Sequence, residues 1–378
     1  MKANILILHN YDGFFAGAFI GTKEHHVTSM MDIGFMLEWF KLNGFHAEAR
    51  SFARLDLSRD YSGWYVLYAS SEERGLFYKG YIEDIILWLQ EQKAVLIPSF
   101  PYFRAHHNKC FAEMLRASFV DKSLRVPVSR CFGHYKELLD NENNYEYPCI
   151  IKVSAGSGSV GVQIANSKEE LLSIAKKFSR ISYSDIQSSW YKSNKLFRYV
   201  RAVFRIFSGK ASLKQYTQVL QSGKPYVIQD VGPLMSNKFI VGQFIPNLSG
   251  DFKVLYFGEK YYILRRENRN RDFRASGSGN FSYPDDIKSV EPILECAKRA
   301  VEEIKMPMCS LDIAMNDKGV YLLEYQCLYF GPFTIQYAPY HTVYDAKAGV
   351  WVKIEGASVL EEEYCRSVSL YIQGKLPF

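Results

Sequence analysis

Three groups of residues have types and spacings that suit charged ligands. Asp312 lies in CSLDIAM and Glu324 in VYLLEYQCLYFGP, two otherwise apolar segments. A charge in an apolar strand needs a partner. Each segment reads as a strand, with Asn316–Gly319 as the turn between them. Neighbouring antiparallel strands bring both carboxylates to one face, and Gln326, two positions after Glu324, points the same way. Two carboxylates and an amide oxygen are hard donors suited to Mg2+, although such a pair also reads as ordinary strand-end carboxylates. The second group, Gly156-Ser157-Gly158-Ser159-Val160-Gly161, matches G-x-G-x-x-G. A dinucleotide-binding turn requires a helix to begin inside the motif, whereas Val160, Val162 and Ile164 alternate with Gly161 and Gln163 as in a strand. The kinase version wants Val where Gln163 stands, and neither H-R-D nor D-F-G follows. A P-loop would end in Gly-Lys-Ser/Thr, which is absent. What remains is a β-hairpin, either plain and mobile or with tip amides that fold over phosphates. Lys152 stands at the end of its incoming strand. The third group is Arg265, Arg266, Arg269, Arg271 and Arg274, within ten residues. A solvated face is one reading. An anion site is the other, with Arg266 ending a strand and Arg274 before the small-residue loop Ala275–Gly279, because guanidinium forks match phosphate geometry.

The elements that must position these groups follow from the rest of the chain. Its 378 residues imply two or three domains. The hydrophobic share of 48% and charged share of 23% exclude wholesale disorder. Aromatic residues reach 15%, enough for sizeable cores. A net charge of +6 fits an anionic ligand and is too low to favour a nucleic-acid patch. Seven cysteines, an odd number with no C-x-x-C pair, argue against a metal cluster or a disulfide framework and for buried reduced thiols. The N-terminal apolar run is too short for a signal peptide, and no run approaches the ~18 residues of a membrane span. The expected location is cytoplasmic.

Strand and helix patterns alternate at first. Asn4–Leu8, Trp64–Tyr68 and Ala94–Pro98 read as strands, and Met31–Leu42 and Tyr81–Gln92 as helices. That order predicts an open, mostly parallel α/β sheet. Helices are expected at Lys109–Ala117, His134–Asp140 and Lys168–Phe178, and strands at Tyr147–Val153 and Val160–Ala165. Ser179–Ser193 reads as a mobile loop. Strands are then expected at Tyr199–Phe207, Tyr216–Leu220, Phe239–Ile245, Phe252–Phe257 and Lys260–Leu264. A helix at Val290–Ile304 precedes two final strands, Ser310–Met315 and Gly319–Tyr325.

Taken in order, these features resemble the ATP-grasp superfamily of carboxylate–amine ligases. The closest patterns are the ribosomal-protein glutamate ligase, D-alanine–D-alanine ligase and glutathione synthetase types. YPCIIKVSAGSGSVGV resembles the family's P-x-x-x-K-x-x-x-G-x-x-S-x-G-V hairpin, and GQFIPNLSGDFKVLYFG its adenine-binding hinge strand. RRENRNRDFRASGSG is similar to the glutamate ligase type's arginine pair and D-F-R segment. The resemblance implies an α/β (α+β) ATP-grasp fold behind a pre-ATP-grasp open parallel domain. The boundaries would be 1–106, 107–245 (first ATP-grasp subdomain with the hairpin lid), 246–345 (second subdomain with the metal site) and 346–378 (C-terminal extension).

The same resemblance implies ATP and Mg2+ as cofactors. Lys109 and the hairpin residues Gly156, Ser157, Gly158 and Ser159 would meet the phosphates, and Lys152 would reach the phosphates or the adenine edge. Gln243, Phe244 and Ile245 would form the hinge, and Asp251 would bind ribose. Asp312, Glu324 and Gln326 would hold the metal, and Arg266 and Arg274 would act catalytically. Four positions depart from the family pattern: Gln243 replaces the hinge Glu, Gln326 replaces Asn, Lys253 stands where Arg is common, and Ser310 stands where the D-alanine ligases carry Arg. The implied reaction activates a small-molecule carboxylate as an acyl phosphate and joins it to an amine of an amino acid, peptide or amino sugar. A small-molecule kinase and a non-catalytic nucleotide-binding protein stay open, as does a homodimer; no nucleic-acid partner and no membrane span are expected. His9, Asn10, Tyr11, Asp12, Ser70 and Ser71 are candidates for the acceptor pocket. His25-His26 and His106-His107 carry no metal pattern. Tyr329, Phe330, Phe333, Tyr337, Tyr340 and Tyr344 read as core or as an aromatic wall for an acceptor.

Overall fold

A computed structural model describes residues 3–15, 31–71, 76–141, 145–155, 161–179, 238–269, 275, 279–328 and 333–378. The expected strands at 199–207 and 216–220 and nearly all of the expected loop at 179–193 lie outside the described residues. So do Gly156–Ser159, Arg271, Arg274, Tyr329 and Phe330.

The first sheet has strands β1 (Asn4–His9), β2 (His46–Ser51), β3 (Tyr65–Tyr68) and β4 (Val95–Ile97), all parallel in the order β2-β1-β3-β4. Ile5, Leu6, Ile7 and Leu8 are all buried, as a continuous apolar run in a strand covered on both faces should be. Helix α1 (Ile33–Leu42) starts where Asp32 accepts from the Phe35 amide (3.1 Å) and buries Met36 and Phe40. Helix α2 (Phe77–Glu91) buries Ile82, Ile86 and Leu89, a 3.6-period stripe. Strand β2 was not anticipated. Its sequence, HAEARS, packs only Ala47 and Ala49 on the core and turns His46, Glu48 and Arg50 the other way, a weak apolar signal that an edge strand permits.

After the short helix α3 (Phe100–Ala105) comes α4 (Lys109–Ala117), which leads to an antiparallel sheet. Strands β5 (Ser129–Phe132), β6 (Cys149–Val153), β7 (Val162–Ala165) and β8 (Phe239–Gln243) run in the order β5-β8-β6-β7. Helices α5 (Tyr135–Leu139) and α6 (Lys168–Phe178) supply Leu138, Leu171, Ala175 and Phe178 to a core with Phe132, Ile151, Phe239 and Val241. Alternation turns Lys152, Ile240 and Cys131 to the opposite face, in one cross-strand row.

The largest sheet contains β9 (Gly250–Phe257), β10 (Lys260–Glu267), β12 (Met308–Asn316), β13 (Gly319–Gln326), β14 (Tyr340–Asp345) and β15 (Val350–Glu355) in the order β13-β12-β9-β10-β14-β15. The two-residue β11 (Phe281–Ser282) pairs with β10. Helix α7 (Ile287–Ile304) covers one face, burying Val290, Ile293, Leu294 and Val301 against Val254, Tyr256, Ile263 and Leu311. The other face is divided along its length. Leu255, Phe257, Tyr262 and Met308 join a core shared with Ile5, Ile7 and Met36 of the first sheet's layer, while Asp251, Lys253, Arg266 and Asp312 occupy the other end.

The strands expected to be last are not. After the one-turn helix α8 (Phe333–Gln336), β14 pairs with β10, β15 pairs with β14, and helix α9 (Leu360–Ile372) buries Tyr364, Cys365 and Val368 in the shared core. Tyr340 and Tyr344 belong to β14, where Tyr340 is buried; Phe333 and Tyr337 expose stacked rings at 6.0 Å. The strand signal of β14 was hidden because its tyrosines read equally as pocket lining.

Candidate functional site

The polar end of the large sheet is built by register. Asp312 on β12 stands opposite Glu324 on β13 and Lys253 on β9, and Asp251 on β9 stands opposite Arg266 on β10. A register shift follows Asp312, one of the irregularities that re-aim side chains near sites. The Arg266 guanidinium grips Asp251 with both arms, Nε to Oδ1 at 2.6 Å and Nη2 to Oδ2 at 2.9 Å. The same Nη2 lies 2.9 Å from Asp312 Oδ2. Lys253 Nζ approaches Asp312 Oδ1 at 3.9 Å, too far for a hydrogen bond, and that oxygen is buried with no hydrogen-bond partner. Burial works to raise the Asp312 pKa, but the charges of Arg266, Lys253 and Lys109 outweigh it and hold the group below the usual range. Burial and the neighbouring Asp312 charge push Asp251 the other way, upward. Arg266 stays protonated despite burial because two carboxylates face it. Gln326 lies opposite Ser310 on the same ladder.

Helix α4 brings the second group. Asn108 caps it, its Oδ1 accepting from the Phe111 amide (3.4 Å), Ser154 Oγ (3.1 Å) and Lys238 Nζ (3.1 Å). The Lys109 amide donates to Ser154 O at 2.8 Å, tying the start of α4 to the end of β6. Lys109 Nζ then reaches Glu324 Oε1 at 3.2 Å. One turn on, Glu113 accepts from Lys152 Nζ (3.4 Å) and Ser129 Oγ (2.6 Å) and pairs with Arg116. Arg116 donates to Leu322 O (2.8 Å), and Tyr325 donates through its hydroxyl to Ala112 O (2.8 Å). So α4 is fastened to β13 on one side and to the β5–β8 sheet on the other. Lys109, expected at the phosphates, and Lys152, expected at the phosphates or the adenine edge, are brought to this helix. Glu113 and Lys238 were not anticipated; an acid three residues before an arginine on a helix reads as a surface pair.

Gln243 ends β8, and its Oε1 accepts from the Val128 amide at 3.0 Å while its own amide donates to Val128 O at 3.0 Å. Phe244 and Ile245 follow the strand and are half-buried. Asp251, expected at ribose, is nearly buried with both oxygens on Arg266, so the structure groups it with Asp312. Of the acceptor-pocket candidates, Asn10 is buried and accepts from the Asp12 and Phe14 amides (3.0 and 2.8 Å). Ser70 accepts from the buried Lys79 at 3.0 Å, and Tyr11 packs edge-on against Tyr78 at 5.2 Å.

Among the described residues, no cluster of three or more His, Cys, Asp or Glu side chains forms a metal cage. The set Asp312, Glu324 and Gln326 instead fits an ion that keeps water and phosphate oxygens as ligands. The unbonded Oδ1 of Asp312 is an oxygen that such a cation would satisfy. No helix among the described residues is long and apolar enough to cross a membrane.

Residues 118–196 match the model of the carbamoyl-phosphate synthase L chain ATP-binding domain. No curated protein matches the chain. Among solved structures, D-cycloserine synthetase DcsG is similar with a TM-score of 0.51 at 11% identity, over 97% of this chain and 99% of that one. A RimK domain ATP-grasp protein from Sphaerobacter thermophilus DSM 20745 aligns with a TM-score of 0.45 at 12% identity, over 98% and 100% of the two chains. D-alanine–D-alanine ligase from Bacillus anthracis, complexed with ATP, aligns at 0.46 and 12% identity, over 99% and 97%. The ATP-binding-domain match, the likeness to the synthetase, and two antiparallel sheets joined through α4 behind a parallel α/β layer give the chain a mixed α/β, ATP-grasp-like fold.

Proposed function

We propose that the chain is an ATP- and Mg2+-dependent ligase that activates a substrate carboxylate as an acyl phosphate and joins it to an amine. The observation that carries this reading is the juxtaposition of Lys109, Glu324, Asp312 and Arg266, drawn from one helix and three strands of the large sheet. In this reading residues 1–106 support the acceptor side, 107–245 and 246–345 enclose the nucleotide, and 346–378 brace the rear.

The chemistry needs no protein nucleophile. A carboxylate oxygen of the substrate attacks the γ-phosphorus of ATP, and ADP leaves with the bridging electron pair. The amine nitrogen then attacks the acyl carbon, phosphate leaves, and the amine proton is lost to solvent. Lys109, Lys152 and Arg266 neutralise charge on the transferring group; the same role is assigned to Arg274, which lies outside the described residues. Their carboxylate partners hold these cations in place beforehand, so little reorganisation is left to the reaction. Asp312, Glu324 and Gln326 would hold Mg2+, which when bound supplies Lewis-acid charge neutralisation. Gln243–Ile245 would face adenine through their backbone, and residues 156–159 the phosphates. Asp251 acts by fixing the Arg266 fork.

Hydroxylamine intercepts acyl phosphates as hydroxamates. Incubation with Mg-ATP, pooled amino-acid and peptide carboxylates and hydroxylamine should yield hydroxamate with stoichiometric ADP. A phosphorylated product without hydroxamate would make the chain a kinase, and ATP binding without turnover a non-catalytic nucleotide-binding protein.

A further inference from the structure

Seven cysteines are free, and two of them meet beside the lysines just described. Cys110 is the second residue of α4, immediately after Lys109, and Cys131 lies on β5 in the cross-strand row that includes Lys152. Cys131 Sγ donates to Cys110 O at 3.3 Å, and the Cys110 thiol rests on Phe239 O at 3.6 Å, one residue from the Ile240 that pairs with Cys131. The Cys110 amide is held by Ser154 Oγ at 3.2 Å.

We propose that Cys110 and Cys131 form a peroxide-oxidisable dithiol whose disulfide joins α4 to the β5–β8 sheet. The adjacent Cys131 thiol lowers the Cys110 pKa to about 7 against burial, with help from Ser154 and Lys238. Burial pushes the thiols of Cys149, Cys296, Cys309, Cys327 and Cys365 upward, and the contact with Cys110 raises that of Cys131, so Cys110 is the thiol that ionises first and Cys131 acts only as the resolving partner. A thiolate at Cys110 attacks one oxygen of hydrogen peroxide; the O–O bond breaks, sulfenic acid forms, and the released hydroxide takes up a proton to leave as water. Cys131 sulfur then attacks the sulfenic sulfur; the S–O bond breaks, a second water leaves, and its proton comes from the Cys131 thiol. The dithiol loses two electrons and the peroxide gains them. A sulfur–sulfur bond of about 2.05 Å draws the start of α4 toward β5, and with it the Lys109 ammonium and the Glu113 carboxylate that holds Lys152. This consequence rests on the nucleotide reading above; the crosslink itself does not.

The test is peroxide titration of the intact protein, followed by proteolysis and mass mapping. The expected first product is a Cys110–Cys131 disulfide, reversed by dithiothreitol, forming faster as pH rises through about 7. Cys131, Lys238, Glu113 and Lys152 are the charged or titratable groups facing it. In C131S, dimedone should trap Cys110 as sulfenic acid with no crosslink. Affinity for a fluorescent ATP analogue should fall at least about tenfold on oxidation in the wild type and stay unchanged in C110S/C131S, since a lost charge-assisted contact is worth on the order of that factor. A different first disulfide, or overoxidation without a crosslink, overturns the proposal. A crosslink that leaves affinity unchanged overturns its link to the lysines. If the reduced protein binds no ATP analogue, the nucleotide reading fails, and the mass map still decides the dithiol.

Discussion

Glu113 receives Lys152, Arg116 and Ser129 at once, so one carboxylate fixes a lysine expected at the nucleotide and the helix that carries another. Burial works to raise its pKa, but the charges of Lys152 and then Arg116 bring it below the ordinary 4.5. A depressed folded-state pKa means that the contribution to stability is complete above the unfolded value and is lost as pH falls through the folded one. Glu113→Gln should therefore destabilise the protein by about 3 kcal/mol at neutral pH, the cost of stranding buried partners. In urea unfolding, the gap to wild type should narrow below pH 4.5, where the wild-type carboxyl also protonates. A gap that widens there would contradict the assignment. The pairing of Asp312 with Glu324 was legible because two apolar strands flank one turn; Arg266 was marked only by its place at a strand end in an arginine-rich segment. Glu113 was not, because its partner Lys152 is 39 positions away and nothing local marks the contact.

At the scale of elements, the large sheet works as a two-faced plate. One face packs Val254, Tyr256, Ile263 and Leu311 on α7; the other changes from apolar to charged along β9, β10 and β12. Close pairing at the charged end depends on Gly250, opposite Glu267, where a Cβ would collide with the carbonyl oxygen of Arg266. Gly250→Ala should push β10 away, loosen the Arg266 fork on Asp251, and cost about 1–3 kcal/mol. It should also lower ATP turnover more than it lowers the melting temperature would explain. Wild-type turnover in this variant would show that the fork is not needed. Helices α4 and α6 were readable to the residue, since Asn108 and Ser167 cap them and apolar spacing fills them. Strands β2, β14 and β15 were not. Two of them are sheet edges with polar or exposed positions on both faces, and β14 is dense in aromatic residues that suit several roles.

At the scale of the whole molecule, the last helix closes on the first layer. Tyr364 of α9 packs edge-on against Phe15 at 5.8 Å, in the core that also holds Leu255 and Phe257 of the large sheet. The rear of the candidate site is thus braced by residues some 350 positions apart in the chain, a contact that local pattern cannot announce. Tyr364→Ala should cost about 3 kcal/mol of stability while leaving ATP affinity of the folded protein unchanged, as read by calorimetric unfolding and by nucleotide titration. The central claim is that the polar end of this sheet is a magnesium–nucleotide site. Its most direct test is ATP turnover with and without Mg2+ in wild type and Glu324→Ala. Wild type should turn ATP over only with Mg2+, and the variant should lose about 100–1,000-fold of that rate. Full magnesium-dependent turnover in Glu324→Ala would contradict the account.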